Sequence, residues 1–399
     1  MNIAKRVLDG LRARVAPEVL RGLGQKEVGK VAEAPQVPET EAGNSWISGD
    51  AVYRTFGQEE VLPEPIVSRP SEGMLSGEDI LEWPGYIALE VTNICNLECT
   101  HCNYRHGIPH YTRDRGYVHE ETVDKVLTEA AEFGATVLMN YDGEPLMNRH
   151  HIKYLRMAEE KGVGTYFNTN GMLFTEKYAD ELVSFYKGSV FFSVDGARDW
   201  FNRIRIGGDY DRVLKNLDYF LTANKRAGSP VSVGVSLCNL GQTAQERSDF
   251  VDNWIDKANF VSLGEVNNKD GSVISEQMTT FEVKNRPVCN VPWQTVGICH
   301  NGDVIPCSIY ITRANTANAI LGNVHEKSIR EIWKDKPIQA LRKMLADNDI
   351  ENTYCKTCER WRCQFSWPDK IEGNRRIERN GTWTTVYNLD KALPDCKGG

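Results

Sequence analysis

The sequence predicts an α/β fold: six strand–helix units in series, followed by a cysteine-bearing hairpin-and-helix extension. Three observations carry this. Between about residues 85 and 266, short β-branched and aromatic runs alternate with amphipathic stretches. The alternation repeats six times, as parallel βα units do. Beyond residue 280 it stops, and cysteines recur at Cys289, Cys299, Cys307, Cys355, Cys358, Cys363 and Cys396 around a turn-forming Asn301-Gly302.

The elements follow in order. Residues 1–80 read as an N-terminal extension with a linker. Ile3, Val7, Leu8, Leu11 and Val15 fall at helical spacing, with Lys5, Arg6, Arg12 and Arg14 between them and Pro17 as an interruption. Such a basic amphipathic helix lies on a membrane surface or packs on its own domain, and packing is the preferred reading of residues 1–23. Residues 30–45 carry proline and acid without periodicity and read as the linker. Residues 81–270 hold strands over 86–91, 136–141, 165–169, 190–194, 231–238 and 260–264. Helices are expected over 120–133, 151–161, 176–186, 210–226 and 244–257. Right-handed crossovers gather the strand C-termini at one end, where chemistry collects. A closed eight-stranded barrel would need two more units. Residues 280–399 form the last domain, with a hairpin and then a helix over 328–345.

Composition bounds the function. The 399 residues are 41% hydrophobic and 26% charged, which reads as globular, with one or two cores plus a small module. A net charge of −8 argues against a nucleic-acid partner. No apolar run approaches the ~20 residues of a membrane span. Eleven cysteines without a secretory signal imply a reducing, cytoplasmic setting, and their clustering points to metal rather than disulfides.

The chemistry starts at Cys95-Asn-Leu-Glu-Cys99-Thr-His-Cys102, a C-x3-C-x2-C run at the end of the first strand. It offers three thiolates to one centre and has no fourth cysteine nearby. Iron–sulfur cubanes normally take four, so three leave one iron open. A Cys3His zinc site using His101 or His106 is the alternative. The second strand then runs into Asp142-Gly143-Glu144-Pro145.

Together these two elements resemble the radical S-adenosylmethionine (radical SAM) superfamily. The resemblance implies an open, partial (β/α)6 TIM-like barrel. It implies a [4Fe–4S] cluster on Cys95, Cys99 and Cys102, whose open iron chelates the amino and carboxylate groups of SAM. In the family's G-G-E-P element the glutamate accepts the SAM ammonium; Gly143, Glu144 and Pro145 match it, and Asp142 replaces the first glycine. Phe167-Asn168-Thr169-Asn170-Gly171 is similar to the third-strand motif that approaches SAM. Ser193-Val194-Asp195-Gly196 matches the fourth, where the serine contacts the ribose or carboxylate. Arg205 closes a segment similar to N-x-x-R and is expected to pair with the SAM carboxylate. His101 stands where the family places an aromatic beside adenine. The implied activity is reductive cleavage of SAM to a 5′-deoxyadenosyl radical that abstracts a hydrogen atom, with a flavodoxin- or ferredoxin-type reductant.

The C-terminal cysteines resemble the SPASM/Twitch extension, which holds auxiliary iron–sulfur clusters. The resemblance implies one auxiliary [4Fe–4S] cluster on Cys289, Cys307, Cys355 and Cys358. Cys363 follows, but Trp367 stands where the two-cluster pattern has a further cysteine, which favours the single-cluster Twitch form. Two clusters shared among the seven C-terminal cysteines, with Cys363 a further candidate metal ligand and one position open, are the alternative, and a zinc ribbon is the structural one.

Cys238 remains. On the fifth strand Val231, Val233, Val235 and Leu237 share one face, and Ser232, Gly234, Ser236 and Cys238 the other. With the bulky face against helices, Cys238 points into the lumen at the catalytic end. It is then either a hydrogen-atom donor, making the enzyme an epimerase, or a packed cysteine. The preferred substrate is a small polar molecule (a sugar, aminocyclitol or nucleoside) undergoing dehydrogenation or epimerisation. A ribosomal-peptide or protein maturase of the SPASM class is the second reading. The absence of a clear winged pattern in residues 1–80 tilts against it. A non-catalytic iron–sulfur electron-transfer protein is the third, and the Glu144 and Ser193 contexts argue against that.

Overall fold

The computed structural model describes residues 46–54, 59–77, 81–102, 113–266, 278–307 and 320–391, apart from 352, 354 and 357. The helix expected over 1–23, the linker over 30–45, His106 and Cys396 lie outside the described residues.

Three short strands, β1 (Ile47–Tyr53), β2 (Glu60–Leu62) and β3 (Ile66–Val67), lead to helix α1 (Glu72–Ser76). The first barrel strand is β4 (Tyr86–Leu89), followed by the two-residue β5 (Glu98–Cys99). Five helix–strand alternations come next. They are α2 (Glu120–Phe133) and β6 (Thr136–Leu138), α3 (His151–Glu160) and β7 (Thr165–Thr169), then α4 (Glu176–Val183) and β8 (Ser189–Ser193). A short α5 (Arg198–Ile204) and β9 (Arg205–Ile206) precede α6 (Tyr210–Arg226), β10 (Ser232–Asn239), α7 (Ala244–Ile255) and β11 (Phe260–Glu265).

β4, β6, β7, β8, β10 and β11 pair in that order, every pair parallel. These are the six units the sequence predicts, and two of the helices match their expected ranges residue for residue. The reason is the pattern of burial. Val137, Phe167, Val190, Phe192, Val233, Val235, Leu237, Val261 and Leu263 are fully buried in one core with the amphipathic helices. Burying that face of the sheet turns the alternate residues toward the lumen.

The sheet runs past the barrel at both edges. Beside β4 lies β13 (Thr295–Ile298), parallel to it, then β14 (Asp303–Ile305) and β15 (Gly322–Asn323), both antiparallel. β13 and β14 form the hairpin expected around Asn301-Gly302; Gly302 adopts φ +88°, where an L side chain is strained. Beside β11 lies an antiparallel meander: β18 (Trp383–Asn388), β17 (Arg375–Asn380) and β16 (Phe365–Glu372), edged by β3.

The helix expected over 328–345 is two helices. Ser328 caps α8 (Ile329–Lys334) in a capping box with Glu331, and Asp335 caps α9 (Lys336–Ala346). Pro337 enforces the break, because proline fits the first turn of a helix and not its interior.

β1 pairs with β12 (Thr279–Val283), so the described part of the N-terminal segment is sewn onto the C-terminal region. Ile47, Ala51, Tyr53 and Leu62 form a second core with Phe281, Trp361, Phe365 and Trp367. No helix among the described residues is long and apolar enough to cross a membrane.

Candidate active site

The cysteine run leaves β4 and returns along β5, whose Glu98 and Cys99 pair with Ile206 and Arg205 of β9. Thr100 N–H donates to Ile204 C=O at 2.8 Å. This ribbon ties the loop to the segment after the fourth barrel strand. Leu97, Met172, Phe201 and Val213 pack around Cys99, with Cys95 and Cys102 against them. The three sulfurs are neighbours. Burial pushes the Cys95 thiol up to about 12, and the Glu144 carboxyl and the Cys99 and Cys102 thiols add to the effect. Asn170 Nδ2 lies 4.0 Å from Cys95 Sγ, and Arg205 Nη1 lies 3.9 Å from Cys99 Sγ. Three converging thiols with N–H donors aimed at two of them suit an iron–sulfur cluster. His101 lies in the turn between Cys99 and Cys102.

Gly143 locks the second strand end against this loop. Its φ is +70°, and a Cβ there would stand 2.6 Å from Thr92 O and 2.7 Å from Ile94 O. Glu144 follows, its N–H donating to Ile94 C=O at 2.9 Å, and Pro145 begins a short 3-10 turn. The Glu144 carboxylate is 2% exposed. It accepts from Asn170 N–H at 2.7 Å, Thr169 Oγ1 at 2.8 Å and Leu146 N–H at 3.3 Å. Burial nonetheless raises it to about 7, a carboxyl held short of full ionisation until a cation arrives.

Asn168 N–H donates to Asn140 Oδ1 at 2.8 Å, and Asn170 Nδ2 to Asn96 Oδ1 at 2.8 Å, so the third strand end is fixed to the end of the second and to the cysteine loop. Asp195 sits at φ +62° just past β8. One of its oxygens accepts from Cys238 N–H at 2.7 Å, and the other lies 2.7 Å from Arg205 Nη2. Arg205, expected at a SAM carboxylate, thus joins Asp195 to the cysteine loop.

Register places the lumen residues in rows. Ser193, Ser236, Ser262 and Thr385 lie side by side on β8, β10, β11 and β18. One step higher come Cys238, Gly264 and Trp383. Below, Tyr166, Phe191, Phe260 and Tyr387 make an aromatic floor with successive ring centroids 5.7, 4.7 and 6.0 Å apart. Cys238 is half-buried on this lumen face, and burial raises its thiol well above the ordinary range.

In the C-terminal region a cavity is lined by Cys289, Cys307, Cys355 and Cys358, with Arg286 and Arg360 at its wall. Arg360 N–H donates to Cys358 Sγ at 3.3 Å, and Arg286 Nη2 to Cys355 C=O at 2.8 Å. Four thiols with cationic neighbours suit one anionic cluster. Cys363, on the 3-10 turn Arg360–Gln364, lies close enough to raise the Cys289 thiol but does not line the cavity. Trp367 is buried, and its Nε1–H donates to Pro63 C=O at 2.9 Å. Cys299 is buried between this region and the barrel, beside the Glu90–Arg113 pair.

Sequence reasoning named Thr169 within the third-strand motif but not its support of Glu144, and it missed the buried Glu90, which accepts from Arg113 Nη1 at 2.8 Å and His300 N–H at 2.9 Å. A carboxylate inside Ala88-Leu89-Glu90-Val91 was the available signal for the second. Trp383 was also missed, because no strand was assigned beyond residue 345.

Comparison with known proteins matches residues 89–253 to the radical SAM superfamily and residues 289–359 to the SPASM iron–sulfur cluster-binding domain. Neither match reaches the terminal meander. The tungsten-containing aldehyde ferredoxin oxidoreductase cofactor-modifying protein of Pyrococcus furiosus is 24% identical over 62% of this chain and 80% of its own length. The mycofactocin maturase MftC of Mycobacterium tuberculosis is 29% identical over 41% of this chain and 40% of its own. Streptococcus suis SuiB, solved with its precursor peptide SuiA, superposes with a TM-score of 0.56 at 17% identity, over 72% of each chain.

Proposed function

Since this chain is a member of the radical SAM superfamily with a SPASM domain, we propose that it acts on a C–H bond of a small polar substrate of sugar, aminocyclitol or nucleoside type. The outcome is epimerisation or dehydrogenation. When bound, a [4Fe–4S] cluster with SAM on its open iron supplies reductive cleavage to the 5′-deoxyadenosyl radical, which removes a hydrogen atom. Cys95, Cys99 and Cys102 would hold that cluster. Glu144 would take the SAM ammonium at its buried carboxylate, with Gly143 and Pro145 fixing the turn. Asn168, Asn170, Ser193, His101 and the Asp195–Arg205 pair would shape the rest of the SAM pocket. Cys289, Cys307, Cys355 and Cys358 would hold one auxiliary cluster, with Cys363 outside its ligand set.

The observation that carries the substrate class is the row of small hydroxyls, Ser236, Ser262 and Thr385, with Cys238 one row above. Hydroxyls both donate and accept, as recognition of a polyol requires. Burial keeps the Cys238 thiol protonated, so its S–H hydrogen is retained for donation to a carbon-centred substrate radical. An electron from a flavodoxin- or ferredoxin-type reductant and a proton would then restore the thiol.

The test is anaerobic incubation of the reconstituted chain with SAM, reductant and candidate polyols, reading 5′-deoxyadenosine and product mass. Unchanged mass with solvent deuterium means epimerisation; a two-dalton loss means dehydrogenation. Cys238→Ala should abolish the epimer while 5′-deoxyadenosine still forms, and unchanged epimer removes Cys238 from the chemistry. The protein should carry about eight irons, two four-iron clusters. A second reading, maturation of a peptide, draws on the SuiB fold, and modification of a peptide but of no polyol in the same assay would establish it.

A further inference from the structure

The terminal meander supplies a wall of the substrate compartment. β18 pairs antiparallel with β11, the last barrel strand, and continues the lumen face by one strand. Trp383 stands opposite Gly264, which stands beside Cys238, so the three share one row. The indole fills the space a side chain would take at position 264: a Cβ there would meet Trp383 ring carbons at 2.4, 2.5 and 2.7 Å. The same arrangement recurs one strand over and two rows down, where the Phe260 ring covers Gly234 at 2.0 Å from a notional Cβ. Each glycine lets an aromatic from the next strand lie across the sheet. Phe260 is buried, but Trp383 keeps part of its surface open, and its indole N–H makes no hydrogen bond among the described residues.

Trp383 therefore sets a partly exposed indole in the row above Ser262 and Thr385, whose hydroxyls hydrogen-bond each other at 3.2 Å. From these features we infer that Trp383 is the substrate-binding platform of this enzyme and that it takes the C–H face of a polyhydroxylated ring. The negative face of an aromatic ring attracts C–H edges, and the hydroxyls below serve the ring's oxygens. The inference rests on the polyol reading above and adds the residue that recognises it. Two strand spacings, roughly 10 Å, separate the backbones of Trp383 and Cys238. A ring lying on the indole, which leans back over Gly264, would thus present a carbon toward the Cys238 sulfur.

The experiment is saturation-transfer NMR on the full reconstituted chain with SAM, using methyl β-D-glucopyranoside and adenosine as probes. Saturation is expected on the protons of one face of the pyranoside or ribose ring, to fall at least fivefold in Trp383→Ala, and to be largely kept in Trp383→Phe. Gly264→Ala, which displaces the indole with its chemistry intact, should match Trp383→Ala. Equal saturation in wild type and Trp383→Ala overturns the inference, as does saturation of neither probe or of a hexapeptide probe alone. The function proposed above is tested separately, by 5′-deoxyadenosine release from wild-type protein. Its failure leaves the NMR result to decide the platform.

Discussion

Glu144 contributes to the pH behaviour of the SAM-free protein, opposing the buried His151, whose imidazole burial lowers to about 3. Its carboxyl is raised to about 7 by burial, against hydrogen bonds that favour the ionised form. In the unfolded chain a glutamate titrates near ~4.3. The folded state therefore loses nothing to this group below pH ~4.3, and loses stability as pH rises from there through about 7. The full difference is on the order of 3 kcal/mol. Urea midpoints measured from pH 4.5 to 8 should fall more steeply in wild type than in Glu144→Gln, and parallel profiles would refute the assignment. A bound ammonium reverses the sign, because it stabilises the carboxylate. SAM affinity should accordingly rise with pH up to about 7 and lose that dependence in Glu144→Gln.

At the scale of the element, the turn after β6 brings the two halves of the site together. Gly143 and Gly134 both have positive φ, +70° and +68°, yet only Gly143 faces backbone oxygens that cannot yield. Gly134→Ala meets nothing within 4 Å and should cost about 1 kcal/mol of conformational strain. Gly143→Ala should cost about 3 kcal/mol and push the cysteine loop away. Iron content after reconstitution reads the difference: it should drop in Gly143→Ala and hold in Gly134→Ala, and equal iron in both would show that the turn does not brace the loop. Turns of this kind also mark how far the sequence could be read. Strands and helices with a strong period, such as β7 and α6, were legible because burial on one face dictates their spacing. The split at Pro337 went unread although proline announces it, since the apolar period continues across the break. The ribbon of β5 with β9 carries no periodic signal at two residues a side. Contacts such as Asp195 with Arg205 depend on where loops fold back and not on local pattern.

At the scale of the whole molecule, the N-terminal segment and the terminal meander are parts of one structure separated by three hundred residues. Composition reads residues 1–80 as an appended extension because residues 30–45 carry proline and acid without periodicity. Yet Trp367 donates to Pro63 C=O, Trp293 Nε1 to Met74 C=O at 3.0 Å, and β3 edges β16. Tyr53 Oη donates to Thr384 Oγ1 at 3.0 Å, from outside the sheet onto the strand whose lumen face holds Trp383. Cys289 lines the auxiliary cavity and also packs against the second core that these strands complete. A chain beginning at residue 78 would expose Phe281, Phe365 and Trp367, an apolar surface that a monomer does not tolerate. It should therefore lose the C-terminal cluster before the N-terminal one. Iron should fall from about eight toward about four per chain, while the cluster on Cys95, Cys99 and Cys102 persists, held by contacts within the barrel. Electron paramagnetic resonance of the reduced protein with and without SAM separates the two clusters, since only the SAM-binding one responds to SAM. If the shortened chain keeps both signals at full intensity, the N-terminal strands are a covering and not a structural member.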